Sequence, residues 1–141
     1  MPILSEKIAI SIRFSEVDSL TIVWHGHYLK YFEDAREAFG KKYGLGYLEM
    51  FEKGYVTPIV QIHCEYKAPL TYGDKAIVEV IYRDSKAAKL EMEYKISNAS
   101  SGLLIATGYS LQVFLDRTKS ELQLIIPDFF AKWKENWGIE L

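Results

Sequence analysis

The sequence predicts an α+β fold in which one long helix lies across a curved antiparallel sheet. Three observations carry this. A single helical-period stretch runs from residue 28 to 43, a succession of period-2 stretches follows it, and the links between those stretches are turn-like and leave no room for crossover helices. One helix has one apolar stripe to hide, and a sheet curved by its own twist offers the concave face that hides it.

The elements follow in chain order. Ile8, Ile10, Ile12 and Phe14 alternate with Ala9, Ser11 and Arg13, the pattern of a half-buried strand. From 28 to 43 the period changes. Tyr28, Phe32, Ala35, Phe39 and Tyr43 share one side while Lys30, Glu33, Asp34, Glu37 and Lys41 take the other, which is an amphipathic helix. Gly44 and Gly46 stop it, because glycine accepts the left-handed backbone of a helix end. A helical turn over 47–53 follows. After Pro58, Val60, Ile62, Cys64 and Tyr66 oppose Gln61, His63 and Glu65. Next, Ala76, Val78, Val80 and Tyr82 interleave with Ile77, Glu79 and Ile81, whose isoleucines give partial burial on both faces. Leu90, Met92, Tyr94 and Ile96 alternate with Lys89, Glu91, Glu93 and Lys95, and the turn over 98–102 leads into a strand over 103–115. These four strands are expected to form an antiparallel meander. Pro127 is expected at the first position of a last helix, with Phe130, Trp133 and Trp137 at helical spacing, capping a sheet edge or a partner.

Composition bounds the rest. A chain of 141 residues that is 49% hydrophobic and 14% aromatic is long enough for one self-sufficient core, so residues 1–141 read as a single domain. With 17 basic and 19 acidic residues interspersed, the net charge of −2 gives no broad basic field, and nucleic acid is set aside as a partner. The lone Cys64 rules out an internal disulfide and suits a reducing cytoplasm. No apolar run approaches the ~18 residues of a membrane span. One helix cannot cover both faces of the sheet, so a second copy is expected to cover or extend it.

The stretch from Phe14 to Tyr28 joins the first strand to the helix and is too apolar for a solvated loop. It ends at a helix start, where unpaired N–H groups and the helix dipole stabilise negative charge. Asp18 lies just upstream. A carboxylate beside an oxyanion-binding amide suits acyl transfer, one supplying attack or proton removal and the other stabilising the developing oxyanion. The residues alone leave a second reading open, that Asp18 makes only a local turn. His25 and His27 admit a zinc reading, but a catalytic zinc needs three protein ligands and only His63, on a strand, remains; no metal is expected. His63 and Cys64 are strand neighbours on opposite faces, so Cys64 reads as a small buried residue and not as a nucleophile. No Gly-x-Ser-x-Gly elbow or glycine-rich phosphate loop is present.

The runs Ile12-Arg13-Phe14-Ser15-Glu16-Val17-Asp18 and Val23-Trp24-His25-Gly26-His27-Tyr28-Leu29-Lys30-Tyr31-Phe32-Glu33-Asp34-Ala35-Arg36 lead to a specific resemblance. So does the later run Tyr66-Lys67-Ala68-Pro69-Leu70-Thr71-Tyr72-Gly73-Asp74, which carries a Pro-x-x-Tyr-Gly-Asp turn. Over nearly its whole length the chain resembles the 4-hydroxybenzoyl-CoA thioesterase-like branch of the hotdog-fold acyl-CoA thioesterases. The resemblance implies a long helix wrapped by a curved sheet, paired into dimers and often tetramers. It implies hydrolysis of an acyl-CoA to a carboxylic acid and CoA, with Asp18 as nucleophile or general base and the backbone N–H of His25 polarising the thioester carbonyl. The His25 imidazole is a further candidate for orienting substrate or water.

Trp24, Tyr28 and Tyr47 are expected to wall the acyl group, with Phe32 in the core. The pattern departs from the family at His27, where Asn is common, and at Ser19-Leu20-Thr21, where a glycine-containing sequence is usual. Those departures either reshape the acyl pocket or mark a chain that has lost activity. Tyr72, Gly73 and Asp74 read as fold determinants. Arg83, Lys86 and Lys89 are candidates for the CoA phosphates, including those in a neighbouring subunit's site, or else form a solvated cluster. No cofactor is expected, since CoA enters as substrate. An acyl-carrier-protein substrate and a noncatalytic acyl-thioester binding protein are the alternatives.

Overall fold

The computed structural model describes residues 2–140. In chain order the elements are β1 (Ser5–Ser11), a 3-10 turn (Phe14–Glu16), α1 (His27–Tyr43), α2 (Tyr47–Glu52), β2 (Tyr55–Val56), β3 (Ile59–Tyr66), β4 (Lys75–Arg83), β5 (Lys89–Asn98), β6 (Leu104–Val113), β7 (Leu115–Asp116) and α3 (Asp128–Asn136). The main sheet has the order β1-β4-β5-β6-β3, antiparallel throughout, and β2 pairs with β7 in a separate ribbon. The α+β class and the long helix are those expected.

Three expectations are corrected. Only β4, β5 and β6 form a meander; β3 pairs with β6, and β4 is flanked by β1 instead. The link over 67–74 exceeds a tight hairpin connection, so it frees β3 to reach the opposite edge. β3 suits that edge, being largely exposed, whereas Ala76, Val78 and Val80 of β4 are buried. The first strand ends at Ser11, and Phe14 faces solvent at 75% exposure instead of entering the core. The cause is local: the Glu16 carboxylate accepts the Arg13 N–H at 2.8 Å and turns the chain before Phe14. Pro127 caps α3 from outside its first turn instead of occupying that turn.

α1 lies over β1 and β4, burying Tyr28, Phe32, Ala35, Phe39 and Tyr43 as their spacing requires, and Tyr31 besides. Phe32 stacks on Tyr94 at 4.5 Å between ring centres and rests on Gly108 of β6. A Cβ built at Gly108 would sit 2.4 Å from the Phe32 ring, so only glycine lets the helix approach this closely. Gly108→Ala is therefore expected to cost about 1–3 kcal/mol, seen as a lower urea midpoint at unchanged slope.

α3 closes the other end of the core. The indole N–H groups of Trp133 and Trp137 both donate to the Tyr43 carbonyl, at 2.7 and 3.0 Å, satisfying an acceptor that the end of α1 leaves open. Lys134 is fully buried; its ammonium donates to the Ser85 carbonyl at 2.6 Å and pairs with Asp84 at 3.0 Å.

The side of β3 that faces α1 is left open because the helix sits over the opposite half of the sheet. Ile62, Cys64 and Tyr66 pair in register with Ser110, Gly108 and Ala106, so all three look inward. Even so, Ile62 is 39% and Tyr66 50% exposed, and Cys64 is half-buried. Burial pushes the Cys64 thiol above its usual range, against a nucleophilic role.

Candidate active site

The loop before α1 is a small hairpin. Val17 bridges Val23, the Asp18 N–H donates to the Ile22 carbonyl at 2.9 Å, and the Trp24 N–H donates to the Glu16 carbonyl at 3.0 Å. Asp18 is half-buried at the tip, where its Oδ1 accepts the Leu20 N–H at 2.8 Å. The local-turn role is thus present. It uses one carboxylate oxygen and leaves the other without a hydrogen-bond partner among the described residues. The backbone strain here falls on Thr21, whose φ of 67° is left-handed in a β-branched residue. That is one of the positions where the sequence departs from the family's glycine-containing pattern.

Two contacts fix this hairpin to the link between β3 and β4. Ile22 bridges Thr71, and the Val23 N–H donates to the Leu70 carbonyl at 2.8 Å. Asp74 in turn holds Thr71 through its N–H and hydroxyl, at 2.9 and 3.0 Å, across a turn in which Gly73 adopts φ 91°. The Tyr72-Gly73-Asp74 turn therefore acts as the expected fold determinant, and what it supports is the loop that carries Asp18. Glu16, unremarked in the sequence, anchors the same loop from below. It is buried, with one carboxylate oxygen on the Arg13 N–H and the other accepting the Tyr31 hydroxyl at 2.9 Å.

At the far end of the hairpin, α1 begins at His27 with Gly26 as its cap and no side-chain capping bond. The N–H groups of His27 and Tyr28 bond the carbonyls of Trp24 and His25. Those of His25 and Gly26 have no acceptor among the described residues. The Tyr66 hydroxyl donates to the His25 carbonyl at 2.8 Å, fixing the orientation of this turn. Its pKa is pushed up to about 12, chiefly by desolvation, so it stays a donor at neutral pH. Trp24 folds over Gly26, whose added Cβ would lie 2.1 Å from the indole, and its ring also neighbours His25 and His27 at 5.0 and 5.4 Å.

Sequence reasoning missed Tyr66 as a site residue; the available signal was its place on the same strand face as Ile62 and Cys64. Tyr66→Phe is expected to lower kcat about tenfold with little change in KM, as loss of one positioning hydrogen bond does. A fall confined to KM would contradict that role.

The other candidates separate. Trp24 is half-exposed at the helix start, with His25 and His27 beside it. Tyr28, expected to wall the acyl group, is buried at 3% exposure because its position belongs to the inward stripe of α1; it supports Tyr66 from behind, ring to ring at 5.0 Å. Tyr47 is exposed on α2, and Phe32 is core. Arg83, Lys86 and Lys89 lie around the β4–β5 turn, where Arg83 pairs with Glu93. β4 leads from the Asp74 turn to that point, and at the usual strand rise this is about 30 Å, so these cations do not join Asp18 within one chain. Among the described residues no group of three or more His, Cys, Asp or Glu side chains could hold a metal ion.

The sequence pattern of the Thioesterase-like superfamily matches residues 12–133. The chain belongs to this superfamily. This thioesterase-like chain is 37% identical, over 92% of its own length and 95% of the relative's, to a Bacillus subtilis (strain 168) protein named "Putative acyl-CoA thioesterase YneP". It is 26% identical to a 1,4-dihydroxy-2-naphthoyl-CoA hydrolase of Synechococcus sp. (strain CC9605), over 92% of this chain and 89% of that one. The crystal structure of Slr0204, a 1,4-dihydroxy-2-naphthoyl-CoA thioesterase from Synechocystis, superposes with a TM-score of 0.82, covering 96% of this chain and 99% of that one at 18% identity. The last comparison shows a shared fold. The thioesterase-like chain is accordingly a hotdog-fold protein, and among its described residues no helix is long and apolar enough to cross a membrane.

Proposed function

We propose that this chain is an acyl-CoA thioesterase, using water to cleave an acyl-CoA to a free carboxylate and CoA thiol. The observation that carries the reading is the pairing described above: a half-buried Asp18 carboxylate with one oxygen uncommitted, and the His25 and Gly26 amides without acceptors among the described residues. Asp18 and His25 stand on opposite arms of one short hairpin, which the hydrogen bond from the Trp24 N–H to the Glu16 carbonyl closes between them.

Asp18 acts as nucleophile, forming a mixed anhydride that water then opens, or as general base toward water. In both cases the thiolate leaves and takes up a proton. The amides hold the oxyanion, and one such donor typically contributes about 10²–10³ in rate. A thioester has a good leaving group, so neither metal nor activated serine is needed. The names of the Bacillus and Synechococcus relatives support acyl-CoA as the substrate class.

The working unit is proposed to be a homodimer, which can pair further into a tetramer. β3 is an exposed edge with an open inner face. Antiparallel pairing of two β3 edges about a two-fold axis would bring the Tyr66 end of one copy beside the Ile59 end of the other. One copy's helix start would then face the other's groove. Arg83, Lys86 and Lys89 are assigned to the CoA phosphates in a neighbouring copy's site. A reducing cytoplasm suits the lone half-buried Cys64.

The test is a panel of acyl-CoAs and matched acyl-carrier-protein thioesters, followed by thiol release. Hydrolysis of CoA esters with kcat/KM at least equal to that on the carrier protein supports the reading. Preference for the carrier protein would move the substrate to that class. Tight binding without thiol release from any ester would replace the enzyme with a binding protein.

A further inference from the structure

Glu16 is a buried carboxylate that the proposed hydrolysis does not use. It is 7% exposed, two residues before Asp18, and each of its polar groups is engaged. Its N–H donates to the Arg13 carbonyl and its carbonyl accepts the Trp24 N–H, both at 3.0 Å. One carboxylate oxygen accepts the Arg13 N–H at 2.8 Å and the other the Tyr31 hydroxyl at 2.9 Å. No ion pair among the described residues includes it. A carboxylate taken out of water without a countercharge is costly, so its presence here calls for a reason.

The reason lies in the donors. A backbone N–H can only donate, and burial together with the Glu16 carboxylate pushes the Tyr31 pKa up, so that hydroxyl keeps its proton. Two donors that converge on one side chain need two acceptor oxygens; a carboxylate offers them and an amide offers one. The groups so joined belong to different parts of the site. Arg13 opens the turn that leads to Asp18, Trp24 lies on the returning arm just before the His25 and Gly26 amides, and Tyr31 stands one turn into α1 at 1% exposure. Tyr31 also neighbours Tyr28, ring to ring at 6.0 Å, and Tyr28 backs the Tyr66 that holds the His25 carbonyl.

We propose that Glu16 is a positioning residue: through its bond to Tyr31 it fixes the arm that carries Asp18 against α1, and so sets the place of the Asp18 carboxylate relative to the His25 and Gly26 amides. This rests on the thioesterase reading and adds to it a residue that acts through Asp18 and not on the substrate.

Tyr31→Phe keeps the ring and removes only the hydroxyl, leaving one Glu16 oxygen buried without a donor, so the arm shifts to find one. Its kcat on the best acyl-CoA is expected to fall about 10- to 100-fold with KM within about twofold, since a small misplacement of reacting groups costs rate and not affinity. Glu16→Gln, which offers an N–H where Tyr31 needs an acceptor, should do the same. The decisive comparison repeats both in the Asp18→Asn background, read by single-turnover thiol release. There each should change the residual rate by less than about twofold, because no carboxylate remains to be placed. Equal fold losses in the two backgrounds, or a fall confined to KM, would make Glu16 a general support of the fold and overturn the proposal.

Amide hydrogen exchange tests the same clamp without turnover. In the wild type the Trp24 N–H should be protected about 100-fold or more, and Tyr31→Phe should speed its exchange about tenfold while the middle of α1 is unchanged. An unprotected Trp24 N–H in the wild type would overturn the proposal even if neither variant folded. Exchange as expected, with no thiol released by the wild type from any ester, would sink the thioesterase reading and keep the placement of Asp18 by Glu16. Wild-type turnover with exchange and kcat unaltered in folded variants would do the reverse.

Discussion

Asp18→Asn is expected to lower kcat on the best acyl-CoA substrate by about 10²–10⁴-fold, the range over which a positioned base or nucleophile acts. The substitution separates chemistry from structure. Asn keeps an oxygen at the position that accepts the Leu20 N–H at 2.8 Å, so the hairpin tip retains its turn. What is lost is the negative charge on the uncommitted oxygen. Substrate affinity should change little, and circular dichroism and the melting transition should be those of the wild type. If turnover persists at the wild-type level in a folded Asp18→Asn protein, the carboxylate has no chemical role and only the turn remains. Single-turnover hydrolysis in heavy-oxygen water then separates the two forms of the mechanism. Label in the enzyme carboxylate marks an anhydride, and label only in the product marks direct attack by water.

Lys134→Met is expected to destabilise the protein by about 3 kcal/mol, the low end of what breaking a buried ion pair costs. Lys134 is fully buried and donates to the Ser85 carbonyl as well as pairing with Asp84, which also accepts the Tyr82 hydroxyl at 3.0 Å. Methionine keeps most of the packing against Phe130 and removes the charge, leaving the Ser85 carbonyl without the ammonium donor and the Asp84 carboxylate with the Tyr82 hydroxyl but no countercharge. Asp84 retains 17% side-chain exposure and can recruit some water, so the low end applies. Urea denaturation should show a lower midpoint at unchanged slope. In a Lys134→Met, Asp84→Asn double variant, part of the loss should be recovered, because the unpaired charge is gone. A double variant no more stable than Lys134→Met alone would attribute the effect to packing.

Local patterns carried most of the fold into view. The stripe from Tyr28 to Tyr43 and the alternations in β4, β5 and β6 are properties of single segments, and all appear where the spacing requires. Placing β3 at the far edge was not legible, because its neighbour is chosen by pairing between distant segments and by which strands need cover on both faces. Phe14 went astray for a related reason: alternation continued past the point where the Glu16 carboxylate bends the chain. Within the site, Asp18 and His25 stood out through family motifs on one continuous stretch. Tyr66 and Glu16 did not. Their roles arise from what strand register and helix packing bring against them, such as the His25 carbonyl for Tyr66 and the Tyr31 hydroxyl for Glu16.

The doubly bonded Tyr43 carbonyl bears on the order of assembly. Its two indole donors lie 90 and 94 positions further along the chain, so closing that clasp has to span most of the polypeptide. Docking of the last helix should therefore be a late event in refolding, after the sheet exists to receive it. Trp133 and Trp137 become built-in optical reporters of that step, and stopped-flow emission should lag the amide signal of the strands.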